Sequence, residues 1–139
     1  MRTRFPVIVA GLGLLLSAGP ALAHHAFAAE YDAKKPVKLT GTVTKLEWLN
    51  PHTWFYVDVK DESGKVTNWG FEMGSPNGLM RQGWTRSSMK FGDEVTVEGS
   101  RAKDSSNNVN VKVVTLAGSG QRLFGASSQS EGAGENPGR

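Results

Sequence analysis

The sequence predicts an all-β fold: a small five-stranded Greek-key barrel with a short helix between its third and fourth strands. Three observations carry that expectation. Five stretches rich in Val, Thr and aromatic residues alternate apolar and polar side chains, the two-residue period of a half-buried strand. The stretch between the third and fourth carries helix punctuation instead. The first stretch is long and changes phase part-way, as a strand must when it coils to serve both sides of a barrel.

The first strand is expected over Val37–Leu49. Its apolar residues fall on odd positions at Val37, Leu39 and Val43, then on even positions at Leu46 and Trp48, and Gly41 sits near the slip. The second, Trp54–Asp61, sets Phe55, Val57 and Val59 on one face and Trp54 and Tyr56 on the other. Asp61-Glu62-Ser63-Gly64 supplies a turn. The third, Val66–Met73, puts Trp69, Phe71 and Met73 on one face, which should be the core face. Ser75 then suits an N-cap, Pro76 the first helical position and Gly83 a C-terminal stop, with Leu79 and Met80 as the apolar side. Thr85 can cap a second short turn through Met89. The fourth and fifth strands follow at Glu94–Arg101 and Val109–Leu116. Three strands, a helix and two strands is the order of an oligonucleotide/oligosaccharide-binding (OB) fold. A six-stranded sandwich is the alternative.

The ends of the chain read differently. Arg2 and Arg4 precede an apolar run from Phe5 to Gly19, too short to span about 30 Å of hydrocarbon, and Ala21-Leu22-Ala23 fits the small-x-small cleavage rule. Residues 1–23 are therefore expected to be a secretory signal, with His24 as the first mature residue. Cleavage after Ala28 is the other fit, and it would remove both His24 and His25. Residues 24–36 form a lead-in, 37–125 the barrel domain, and 126–139 a tail without large apolar residues, expected to be disordered. Export implies a periplasmic or secreted protein with no membrane span once the signal is gone. The chain has no cysteine, which excludes disulfides, thiolate metal sites and lipid-modified cysteine. Its formal charge is +3, but loss of Arg2 and Arg4 leaves 14 basic against 13 acidic residues, a mature +1. One excess charge collects no nucleic acid, so the expected partner is a periplasmic protein or a small ligand.

Several motifs occur together: His24-His25-Ala26-Phe27, Tyr31-Asp32, Gly41-Thr42-Val43, Asn50-Pro51-His52-Thr53-Trp54, Gly74-Ser75-Pro76-Asn77 with Leu79, Arg81 and Gly83-Trp84, and Gly92 to Gly99. In combination the chain resembles a family of small exported bacterial proteins built around a domain of unknown function. The resemblance covers nearly all of His24 to Phe124. It implies a signal peptide and a compact β domain and brings no activity.

The histidines give the sharpest expectation of function. A mature N-terminal His24 offers an α-amine and an imidazole that can chelate one metal ion; His25 and His52 add imidazoles. Such a nitrogen set favours Cu(II). Reach permits the site. The first strand, if straight, would be about 40 Å long; the lead-in spans at most about 37 Å, and coiling shortens the gap. In the plainer reading His24 and His25 are a solvated end and His52 caps a turn. The aromatics divide likewise. Trp54, Tyr56 and Trp84 either pack the core or form an open face for a glycan or peptide. Arg81, near the Gly74–Gly78 helix opening, could help hold an anion there. There is no Cys nucleophile and no GxSxG pattern. The sequence thus points to a non-catalytic periplasmic binding or accessory module with copper at His24, His25 and His52. A protein- or glycan-interaction module is the alternative, and an N-terminal copper oxygenase a third.

Overall fold

The structure, a computed structural model, describes residues 27–127. The expected signal segment, His24, His25 and Ala26, and residues 128–139 lie outside it. The described residues are mainly antiparallel β-sheet with only small helices. The elements are β1 (Tyr31–Glu47), β2 (Trp54–Lys60), β3 (Val66–Glu72), α1 (Pro76–Arg81), β4 (Glu94–Ala102), β5 (Asn108–Leu116) and β6 (Arg122–Phe124). Hydrogen bonding runs in the order β3-β2-β1-β4-β5-β6, and β3 also meets β5 in parallel through Gly70–Asn108, Phe71–Val109 and Glu72–Asn110. The pairings make a barrel-like ring that is not clearly closed. No helix among the described residues is long and apolar enough to cross a membrane.

Strand β1 holds the ring together. Its first half pairs with β4, from Pro36–Ser100 to Thr42–Glu94, and its second half with β2, from Gly41–Val59 to Glu47–Trp54. The phase slip expected from the apolar pattern is a register shift between Val43 and Lys45. Gly41 pairs on both sides, and a Cβ there would stand 2.1 Å from the Asp58 carbonyl oxygen. The strand can coil at this point only without a side chain.

Inside the ring lie Val43, Phe55, Val57, Phe71, Met73, Val95, Val97, Val109, Val111 and Val114, with Leu79, Trp84, Met89 and Leu123 closing one end. Phe55 and Phe71 are a cross-strand pair with centroids 5.0 Å apart. Trp69 differs from the expectation. It is only half-buried, packed against the core cluster rather than within it, with the Arg101 guanidinium 5.2 Å over its ring.

The helix follows from local chemistry. The Ser75 hydroxyl accepts the Gly78 N–H at 3.2 Å, and Pro76 opens the helix. Gly83, at φ +94, ends it. There the Gly83 N–H donates to Met80 and the Trp84 N–H to Leu79, a Schellman closure. That closure turns Trp84 inward over Leu79, so both are buried.

Three expectations need correction. A sixth strand is present, because Leu123 can cover the end of the core only by pairing its segment with Val113–Thr115. Strand β1 begins at Tyr31, not Val37, and residues 27–30 before it are helical. Within the lead-in, Tyr31 is buried and paired with Ala102, while residues 33–36 stay exposed. Nor does the loose tail start at Ala126: Ala126 packs on the core, and the buried Ser127 hydroxyl donates to the Val111 carbonyl at 2.8 Å. Gly125 accepts from the Gly74 N–H at 2.7 Å and donates to Lys112 at 3.0 Å. Deleting residues 125–139 strands these groups. It is expected to cost about 1–3 kcal/mol, against almost nothing for a loose end. Thermal unfolding of the truncated chain checks this; an unchanged midpoint would mean that Gly125–Ser127 contribute nothing.

Candidate functional site

Alternation along β3 sends Phe71 and Met73 inward and Glu72 outward. An outward carboxyl on a strand is ordinarily solvated, yet Glu72 is only 6% exposed. The cover comes from the N-terminal segment. Tyr31, 5% exposed, pairs with Ala102 at the start of β1 and donates its hydroxyl to Glu72 Oε2 at 2.5 Å. Phe27 stacks on the Tyr31 ring at 5.9 Å. Burial first, and the Glu72 hydrogen bond and charge second, push the Tyr31 hydroxyl far above the usual tyrosine value. It stays a donor at every physiological pH.

His52 takes the other oxygen. Its Nδ1 is paired with Glu72 Oε1, while its side chain remains 52% exposed. The loop carrying it is pinned behind His52. Thr53 is fully buried, its N–H donates to Gly74 at 3.0 Å, and its carbonyl accepts from Met73 at 2.9 Å. The Asn50–Pro51 bond is cis. One buried carboxyl thus joins three segments distant in sequence: the chain before β1, the β1–β2 loop and the end of β3.

This arrangement gives His52 one usable nitrogen. With Nδ1 turned to the carboxyl, Nε2 is the ring nitrogen left for a ligand on this half-exposed side chain. That is how a metal-ligating histidine is commonly oriented by a carboxylate behind it. Among the described residues no group of three metal-ligating side chains is assembled. The partners expected for His52, His24 and His25, lie outside those residues, but His25 is only two residues before Phe27. At about 3.5 Å per residue, about 7 Å of chain separates it from the docked segment.

The other expected binding residues fall in three places. Trp54 and Tyr56 stand together on the outer face, half-buried, with centroids 6.5 Å apart. The Tyr56 hydroxyl donates to Glu47 at 3.2 Å, and Lys45 lies 5.4 Å over its ring. Trp84 is 2% exposed and its indole N–H donates to the Phe124 carbonyl at 2.8 Å, so it belongs to the core and offers no face to a ligand. Arg81 is exposed in the last turn of α1, at the opposite end from the Ser75 opening. The sequence reading missed the pairing of Tyr31 with Glu72. Alternation alone marks Glu72 as solvated, and only the long-range return of the N-terminal segment buries it.

Alkaline pH tests the Tyr31 bond. A group whose folded-state value is raised contributes stability that is intact below its unfolded value, about 10 for tyrosine, and is lost above it. The unfolded chain releases the proton while the folded chain still holds it. Wild type should therefore lose stability above about pH 10 more steeply than Tyr31→Phe, measured by urea unfolding. Parallel profiles would show that Tyr31 is not buried on Glu72.

Comparison with known proteins adds a family. The family described as "Family of unknown function (DUF6152)" matches residues 12–110. No curated protein matches. Among solved structures, the crystal structure of a complex of TiaS with transfer RNA and ATP is similar at 20% identity with a TM-score of 0.42. That likeness covers 61% of this chain and only 18% of the other.

Proposed function

The chain belongs to this family of unknown function, and from its own residues we propose that it is an exported, non-catalytic binding or accessory module that holds one copper ion. In this reading cleavage after Ala23 exposes His24 as the mature N-terminus. The α-amine and imidazole of His24, the imidazole of His25 and Nε2 of His52 are the ligands. Amine and imidazole nitrogens suit Cu(II) better than harder ions. The scaffold is an OB-like barrel, supported by β1 pairing with both β2 and β4 and by β3 meeting β5.

The observation that carries the reading is the shared carboxyl of Glu72, with Tyr31 on one oxygen and His52 on the other. It ties the segment following His25 to the side of the barrel that carries His52. It also leaves the other His52 nitrogen open for a ligand. Copper titration of the exported protein tests this, with paramagnetic resonance reading the ligand atoms. Protein beginning at His24 should bind one Cu(II) through nitrogen donors. Protein beginning at Ala29 should bind none at that affinity. Equal binding by both forms would remove the N-terminal site.

A further inference from the structure

A cavity of about 360 Å³ opens beside Tyr31, between residues 29–31, Trp54, and the loop and strand start at 102–108. Its size lies at the small end of ligand clefts, about 300–1,000 Å³. We propose that this cavity binds a neutral sugar ring, stacked on Trp54 and hydrogen-bonded by Asn108, Glu30 and Asp104. The proposal goes beyond the copper site and does not depend on it.

The wall chemistry selects the ligand. Trp54 is the aromatic platform. Tyr31 also lines the cavity, but it is only 5% exposed and its hydroxyl is spent on Glu72, whereas Trp54 is half-buried with Tyr56 stacked on one side of its ring. One platform suits the apolar C–H face of a pyranose. A quaternary ammonium ion is usually gripped by several rings. The polar wall supplies both kinds of hydrogen-bonding group: the Asn108 amide donates and accepts, and the Glu30 and Asp104 carboxylates accept from hydroxyls. Against these two carboxylates stands one ammonium, Lys103. The wall is formally negative by one charge, which works against a phosphate or a carboxylate ligand.

The wall is also held in place. The Lys103 N–H donates to the Glu30 carbonyl at 2.9 Å, and its ammonium lies on the Ala28 carbonyl. Asp104 accepts the Ser106 N–H at 2.9 Å. Beneath the platform, β3 carries Gly70. A Cβ there would stand 2.6 Å from Asn108 Oδ1 and 3.5 Å from the Trp54 ring. The missing side chain lets the amide and the indole come together over the strand.

Calorimetric titration with cellobiose and N,N′-diacetylchitobiose, with choline and AMP as contrasts, tests the proposal on the exported protein. At least one disaccharide should bind with a dissociation constant in the millimolar range or tighter, and choline and AMP should bind more weakly. Trp54→Ala and Asn108→Ala should each weaken the disaccharide by about tenfold or more. Trp54→Phe should retain part of the binding. Adding Cu(II) should leave the disaccharide affinity unchanged, so the two readings fail separately. Folding of each variant is checked by its thermal midpoint. Failure of both disaccharides to bind wild type would overturn the proposal. So would stronger binding of choline or AMP, or disaccharide affinities unchanged in folded Trp54→Ala and Asn108→Ala.

Discussion

Phe71→Ala is expected to cost about 3–5 kcal/mol, the usual range for emptying a fully buried phenylalanine. Phe71 is 0% exposed and stacks on Phe55 across the β2–β3 pair. It also stands opposite Val109, another fully buried residue, where only three residue pairs join β3 to β5. Removing its ring takes contacts from both sides of the β3–β5 seam. For a domain of this size each kcal/mol moves the midpoint by about 4–8 °C, so the loss should exceed about 12 °C. Val66→Ala on the same strand, at a site 55% exposed, should be nearly neutral. A near-neutral Phe71→Ala would mean that this ring does not sit in the core and that the strand is turned over.

Glu72→Ala is expected to act on two observables together. It leaves the buried Tyr31 hydroxyl without its acceptor, and an unpaired buried polar group costs about 1–3 kcal/mol. The segment at 27–36 should then exchange its amide hydrogens faster than in wild type. The same change frees the His52 ring from its orienting carboxyl. Loss of such a partner typically lowers metal affinity about 10–100-fold. A stability loss without an affinity loss would keep Glu72 as the clasp of the N-terminal segment and remove its role in orienting His52. No loss of either would show that the three-way junction does not form.

Elements whose causes are local were readable in the sequence. Ser75, Pro76 and Gly83 announce the helix because caps and stops act within a few residues. The alternation of Phe55 and Val57 against Trp54 and Tyr56 gives the facing of β2 directly. What escaped depends on contacts far along the chain. Tyr31 lies in a polar, mixed-charge lead-in and becomes a strand residue only by pairing with Ala102. Glu72 reads as a solvated carboxyl until Tyr31, 41 residues earlier, covers it. Trp84 looks like a candidate platform until the helix closure turns it inward toward a carbonyl 40 residues away. The three residues of β6 are too few to show a period. His52 stands out in the sequence as the one histidine outside the N-terminal pair, but its contact with Glu72 depends on the fold.

The joined copper site is tested most directly by the thermal midpoint of the mature protein with and without Cu(II), in wild type and in His52→Ala. An ion that binds only the folded state raises stability by RT ln(1 + [L]/Kd), about 2.7 kcal/mol at a hundredfold excess over Kd. An ion held by a flexible end alone binds the unfolded chain equally well and adds nothing. Wild type should therefore gain roughly 10 °C or more under that excess, and His52→Ala should gain almost none while still taking up copper weakly at His24 and His25. Equal copper affinities and equal midpoint shifts in the two proteins would contradict a site shared between the N-terminus and His52.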